Sequence, residues 1–369
     1  MSRRLNFINN AITLTLTFVA LVLATLFVNS RVAYYGFAKM ICMFIVGAIV
    51  GGFISVFLHE LGHLIGAKSS GFAVLSFRVW FLQWRKNKTK KSNKFVFEFV
   101  LPSSSAGHTE IVPIGKENLA KRYIKATSLG IWFSLITIAL GVVPIFLKFL
   151  PAWALCMWIA LIPVGVYSLL DNGLPMLNEG VKNDGALVVG LKKMDDSSKV
   201  LVNLLAIQSE LFSGKTPCEI DADLYFDLPQ LPEDDVNYLL ILNARYNYYL
   251  DKEDYAEAKA TTSRLLGLED YALKEHICVV KADALYNACT FDFNAERADD
   301  LTYELDRYLN NVNTATNIRV KMAYLLNVSK ETEAIDIFYK KGIKEANKCQ
   351  ISGLGKFELK LIERLYAKR

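Results

Sequence analysis

Residues 37–67 read FAKMICMFIVGAIVGGFISVFLHELGHLIGA. Between Lys39 and Glu60 the run holds no Lys, Arg, Asp or Glu, and it exceeds the ~20 apolar residues that span a bilayer. It therefore predicts a membrane helix whose His59-Glu60-Leu61-Gly62-His63 end lies near one interface. Residues four apart share a helix face, so His59 and His63 can aim imidazole nitrogens at one metal ion. Glu60 stands beside them, where a carboxylate can take a proton from an attacking water. Two neutral imidazoles, a carboxylate and an open position form the donor set of a hydrolytic zinc (Zn2+) site. Of the four histidines in the chain, two lie here. Two His and a Glu inside a membrane segment are costly without a partner or a task.

Working outward, three more apolar stretches are long enough to span: about 11–29, 127–149 and 152–171. The first follows Met1-Ser-Arg-Arg and has no small-x-small cleavage site, so it reads as a retained anchor rather than a signal peptide. Gly47, Gly51 and Gly52 permit close helix contact. Polarity divides the chain. Residues 1–183 hold 18 Lys+Arg against 6 Asp+Glu, a net of +12, whereas residues 184–369 hold 24 against 31, a net of −7. The basic residues flank apolar spans, as loops facing anionic lipid do, and this argues for a bilayer rather than a nucleic-acid partner. Cys42, Cys156, Cys218, Cys278, Cys289 and Cys349 form no CxxC pair and fit free thiols in a reducing compartment.

Eleven of the Lys+Arg residues fall between Ser69 and Ala126, directly after the metal motif. The positive-inside rule assigns that segment to the cytosol, and with it the metal site and everything after the fourth span. Within it, Phe72–Trp84 and Lys94–Leu101 are rich in aromatic and β-branched residues, and the Lys/Asn/Ser stretch from Arg85 to Asn93 separates them. This predicts a β-hairpin with a basic tip at the membrane surface, with His108–Ile114 available as a third strand. An exposed edge beside the site could bind a peptide as an added strand, or the sheet could simply cover the site.

After the fourth span the chain reads Asp171-Asn-Gly-Leu-Pro175-Met-Leu-Asn-Glu-Gly-Val-Lys-Asn-Asp184-Gly185. Together with His59-Glu-x-x-His63, Asn172-x-x-Pro175 and Asp184-Gly185 resemble the motifs of the site-2 protease family of intramembrane zinc metalloproteases. The resemblance covers roughly residues 37–190. It implies that His59, His63 and Asp184 bind zinc, that Glu60 is the general base, and that Asn172 helps hold the substrate or its developing oxyanion. Asp184 stands about four residues further from Asn172 than in the compact form of the motif, so Met176–Asn183 must loop out. Asp171 and Glu179 are rival third ligands. The family's central-helix stretch is represented only by Ser128-Leu-Gly130 and Ser134, and the interval between the second and third spans is too short for a PDZ domain.

From about Asp195 the chain reads as helical and water-soluble. Asn243–Leu250 and Tyr255–Leu266 form a helical hairpin around Asp251–Asp254, and similar pairs fall at Ala282–Leu309 and Ile318–Ala346. Ala258, Ala298 and Ala334 recur at intervals of 40 and 36, an irregular echo of tetratricopeptide-type repeats. The expected architecture is thus an α-helical membrane protein with about four transmembrane helices, a small surface hairpin and an all-α cytosolic domain. Its parts are an anchor (1–36), a metalloprotease core (37–190, with the hairpin at about 72–114) and a helical-repeat domain (195–369). The expected function is hydrolysis of membrane-spanning or membrane-bound peptides near the cytosolic face of a cell membrane. The alternative is an inactive membrane-anchored scaffold that binds a cytosolic protein or peptide through its repeats.

Overall fold

The structure is a computed structural model and describes residues 3–32, 36–86, 95–100, 105–178, 181–272 and 274–369. Of the expected hairpin tip Arg85–Asn93, Arg85 and Lys86 end strand Leu82–Lys86, while 87–93 and the rival ligand Glu179 lie outside the described residues. The chain is mostly helical and forms two compact units: the first runs to Asp195 except for Val112–Glu117, which group with the second, Asp196–Arg369.

Four helical segments of the first unit are long and apolar enough to cross a membrane: Arg4–Val28, Phe37–Ser69, Leu119–Phe146 and Ala152–Gly173. They comprise α1 (Arg3–Val32), α2 (Phe37–Ser69), α3 (Leu119–Val142), α4 (Ala152–Ile159) and α5 (Leu161–Gly173). The fourth segment breaks at Ala160 because Pro163 lacks an N–H and its ring crowds the carbonyl of Ile159, one turn back. Large apolar side chains point outward, including Leu14, Phe18, Leu26 and Phe27 on α1 and Ile45 and Ile49 on α2. The buried stripe of α2 is instead made of Gly47, Gly51, Ser55, His59, Gly62 and Gly66. Lipid is as apolar as leucine, so helices associate there by close backbone approach between small residues, and large residues face the lipid. Helix α1 is packed into this unit: Val28 joins Leu155, Cys156 and Ile159 in one apolar cluster, and Asn9, Thr13 and Ala24 are buried along the same helix.

A four-stranded sheet, order β3-β2-β1-β4, lies between α2 and α3 in sequence: β1 (Phe72–Val79), β2 (Leu82–Lys86), β3 (Phe95–Phe99) and β4 (Gly107–Pro113). The first two pairings are antiparallel, with Val79 opposite Leu82 and Lys86 opposite Phe95. The aromatic run Phe72–Trp84, expected as one strand, is two strands joined at Trp80-Phe81. Neither residue favours turns, and tertiary contacts hold the turn: Trp80 has φ 52°, donates its N–H to the Ala106 carbonyl at 2.6 Å, and sets its ring edge-on to Phe53. The third strand anticipated at His108–Ile114 is β4, a sheet edge. After α5, the two-residue strands β5 (Leu177–Asn178) and β6 (Val181–Lys182) form a small ribbon that leads into α6 (Asp184–Lys193).

The second unit is all-helical: α7 (Asp196–Ser213), α8 (Asp223–Phe226), α9 (Val236–Lys252), α10 (Tyr255–Leu266), α11 (Lys274–Cys289), α12 (Ala295–Asn311), α13 (Ala315–Asn327), α14 (Ile335–Lys348) and α15 (Ser352–Tyr366). Side-chain caps start α9, α10, α12 and α13, where Asp235, Asp254, Asn294 and Thr314 accept from amides two or three residues on. Leu250, Leu285, Leu305, Ile318, Phe357 and Ile362 share one core. Ala258 and Ala298 are fully buried in that core, whereas Ala334 precedes α14 and is partly exposed. The last helix returns to the first: Lys356 donates to the Gly214 carbonyl, and Lys360 reaches Asp251 at the end of α9. The last helix thus packs back against the start of the unit.

Candidate metal centre

The third turn from the end of α2 presents His59 and His63 on the face that meets α3. At Gly130 of α3 an added Cβ would lie 2.4 Å from the His63 Cε1 and Nε2 atoms. Only glycine lets the α3 backbone come this close to the imidazole, and Gly62 meets the same backbone from the α2 side. Asp184 arrives from the start of α6. His59 Nε2, His63 Nε2 and Asp184 Oδ2 form a triangle with sides of 3.0, 3.0 and 3.2 Å. All three residues are buried or largely so, and together they could hold a metal ion.

Hydrogen-bond partners assign the tautomers. His63 Nδ1 lies 3.2 Å from the Ala126 carbonyl, which can only accept, so Nδ1 carries the proton and Nε2 presents a lone pair. His59 Nδ1 lies 3.2 Å from Ser134 Oγ. That hydroxyl can donate to the Gly130 carbonyl, leaving its oxygen to accept from His59. Three lone-pair atoms then converge with no proton between them, and Asp184 Oδ2 is a buried polar atom without a hydrogen-bond donor. Such a triangle is repulsive unless a cation fills it. Metal–nitrogen and metal–oxygen bonds of about 2.0–2.2 Å in a tetrahedron place neighbouring donors about 3.3 Å apart, close to the observed sides. A cation held there would keep Asp184 in the ionised form that coordination requires.

Asp184 is positioned by its neighbour. Asn183 caps α6, its Oδ1 accepting from the Ala186 and Met176 amides, both at 3.0 Å, while its Nδ2 donates to the carbonyls of Leu174 and Asp171. One side chain thus ties the end of α5 to the start of α6, and the segment between them loops out as the β5–β6 ribbon. Asp171 contributes its main-chain carbonyl to this knot and does not join the metal group.

Glu60 is buried next to the triangle. Thr109 of β4 donates to Glu60 Oε2 at 2.6 Å, and Gly107 leaves room for the carboxylate, since a Cβ there would sit 2.6 Å from Oε1. The sheet edge thus holds the carboxylate beside the two histidines. Asn172 donates its Nδ2 to the Ser168 carbonyl one turn back at 2.9 Å, and Ser168 Oγ lies 3.3 Å from Ser134 Oγ. Asn172 therefore neighbours the polar network behind His59, and no hydrogen bond among the described residues joins it to the triangle. Sequence reasoning missed Thr109 and Asn183. Asn183 carried a readable signal, an Asn before Asp-Gly-Ala at the start of a helical run. Thr109 carried none, because its role depends on where β4 lands.

No protein-family model, no curated protein and no solved structure matches this chain. The resemblance drawn above accordingly rests on the motif residues themselves.

Proposed function

We propose that the chain is an intramembrane zinc metalloprotease, resembling the site-2 protease family, that hydrolyses peptide bonds of membrane-spanning or membrane-bound peptides. The observation that carries this reading is the meeting of two lone-pair imidazoles and a carboxylate with Glu60 alongside, on helices fit to lie in a bilayer. A structural metal site is closed by four protein ligands, whereas a catalytic one keeps a position open. Here three described residues converge and a general-base carboxylate stands next to them.

Zinc held by His59, His63 and Asp184 would supply Lewis acidity, bringing the pKa of a coordinated water toward neutrality and polarising the peptide carbonyl. Glu60 takes the proton from the water as its oxygen attacks the carbonyl carbon. It then delivers that proton to the nitrogen as the carbon–nitrogen bond breaks, so acid and amine leave in balance. Thr109 keeps the Glu60 carboxylate oriented for both transfers. Edge strand β4, already bonded to Glu60, offers main-chain groups to which an extended substrate can add as a strand. Asn172 remains the candidate for holding the substrate carbonyl. The dense Lys+Arg of residues 69–126 puts the site and the C-terminal unit on the cytosolic side.

The decisive experiment incubates the purified chain with membrane peptides in detergent micelles or vesicles, with and without Zn2+, and compares Glu60→Gln. Zinc-dependent cleavage that Glu60→Gln abolishes supports the reading. Failure of the parent chain to bind Zn2+ sinks it. The second reading is a scaffold that binds a cytosolic protein or peptide. It would use the all-helical unit, Asp196–Arg369, which the metal chemistry does not need. That reading leaves the metal triangle without a task.

A further inference from the structure

The N-terminal end of α1 enters the segment that delivers Asp184. Asn6 pairs with the main chain of Leu177 in both senses: its Oδ1 accepts from the amide at 2.8 Å and its Nδ2 donates to the carbonyl at 3.0 Å. Asn9 Nδ2 donates to the Pro175 carbonyl at 2.7 Å. Asn6 and Asn9 are three apart and share a helix face. That face continues through the buried Thr13, Ala24 and Val28. At the other end of the helix, Arg31 donates to the carbonyls of Ile145, Leu147 and Leu150, so α1 is fastened at both ends.

The polar main-chain groups of residues 174–177 are divided between two holders. Asn183 takes the Leu174 carbonyl and the Met176 amide from one side, and α1 takes the Pro175 carbonyl and both groups of Leu177 from the other. The ribbon of two-residue strands cannot be rigid by itself, because a lone pair of short strands is marginal. Asn9 is buried and Asn6 partly so, and polar groups buried in a membrane helix are costly and call for a task. We propose that α1 is a working part of the metal centre, beyond anchoring: Asn6 and Asn9 position the loop that presents Asp184 and thereby set the affinity for the metal. This rests on the metal-centre reading but not on proteolysis. Drawing this end of α1 away would withdraw the third ligand while leaving His59 and His63 in place on α2.

The test uses the purified full-length chain in detergent micelles, with Zn2+ affinity read by competition against a chromophoric chelator. Asn6→Ala/Asn9→Ala is compared with Asn10→Ala, an exposed neighbour on the same turn. Loss of groups bonded directly to metal ligands costs about ten- to a hundredfold in affinity; Asn6 and Asn9 act through the main chain of the ligand loop, so a drop of about tenfold is expected, for the double variant alone, with unchanged helical circular dichroism. Asn6→Asp keeps the acceptor for the Leu177 amide and removes the donor to its carbonyl. It is expected to weaken binding too, and it carries the test if the double variant does not fold. Parental affinity in the double variant, or in Asn6→Asp where that must stand in, overturns the role of α1 while sparing the metal centre. A parent chain that binds no Zn2+ overturns both.

Discussion

Replacing Gly130 by alanine should abolish metal binding at the proposed centre through a single methyl group. The added Cβ would stand 2.4 Å from His63 Cε1 and Nε2, against the 3.5–4.0 Å at which carbon atoms pack. The imidazole must therefore retreat by about 1 Å, or α3 must separate from α2 by a similar distance. A metal site tolerates about 0.2 Å in its bond lengths, so His63 should no longer serve as a ligand of the proposed centre. Its Nδ1 bond to the Ala126 carbonyl is lost in the same movement. Loss of outer-shell support alone costs up to about a hundredfold in affinity, so losing the ligand as well should exceed this, corresponding to at least about 2.7 kcal/mol. Helix propensity works the other way, since alanine is favoured over glycine inside a helix by about 0.8–1 kcal/mol. The steric term is larger and should win at the metal, while the helix content is kept. Gly52→Ala is the control, because its Cβ would meet Trp80 at an ordinary 3.5 Å. Chelator competition on both purified variants gives the measurement. If Gly130→Ala binds Zn2+ as tightly as Gly52→Ala, the placement of His63 against α3 is wrong.

Four further outcomes are expected. Glu60→Gln should retain Zn2+ and lose peptide hydrolysis, because glutamine is nearly isosteric and accepts no proton; normal turnover would remove Glu60 from the mechanism. Asp184→Asn should lower metal content sharply while Asp171→Asn leaves most of it bound, and metal analysis showing the reverse would move the third ligand to Asp171. In the helical unit, burial pushes the Asp283 carboxyl up to about 7 against the pull of the neighbouring Arg319 guanidinium. The folded state then holds a proton that the unfolded chain gives up near its ordinary value of 3.8. Stability of this unit should therefore fall as pH rises from about 4 to about 7, and Asp283→Asn should flatten that slope in thermal unfolding measured at several pH values. Finally, cysteines placed at Asn93 and at Arg369 should resist impermeant labelling from outside intact cells, and labelling at either position would reverse the orientation argued from the basic residues.

What could be read along the chain follows from local periodicity. A run of apolar residues long enough for a bilayer is visible without knowing its neighbours, and so are the four spans. The four-residue spacing of His59 and His63 puts both on one face of any helix. The helical pairs read at 243–266 and 282–309 fall within α9–α10 and α11–α12, whose first helices begin earlier, at Val236 and Lys274. The strand boundary at Trp80-Phe81 escaped because a left-handed tryptophan is held by Ala106 and Phe53, neither of which a local rule connects to it.

The sequence by itself determined which residues could serve a metal: two histidines on a membrane helix, a carboxylate beside them, and a short menu of third ligands in Asp171, Glu179 and Asp184. Only the tertiary structure decided among the described members of that menu. It closed the triangle with Asp184, 121 positions after His63, through the Asn183 knot and the close approach of Gly130. It also brought Thr109 to Glu60 and Asn6 and Asn9 to the ligand loop. The physical reason is that helix periodicity acts over a turn or two, whereas a metal site joins donors to within about 3 Å across elements whose meeting depends on how backbones pack.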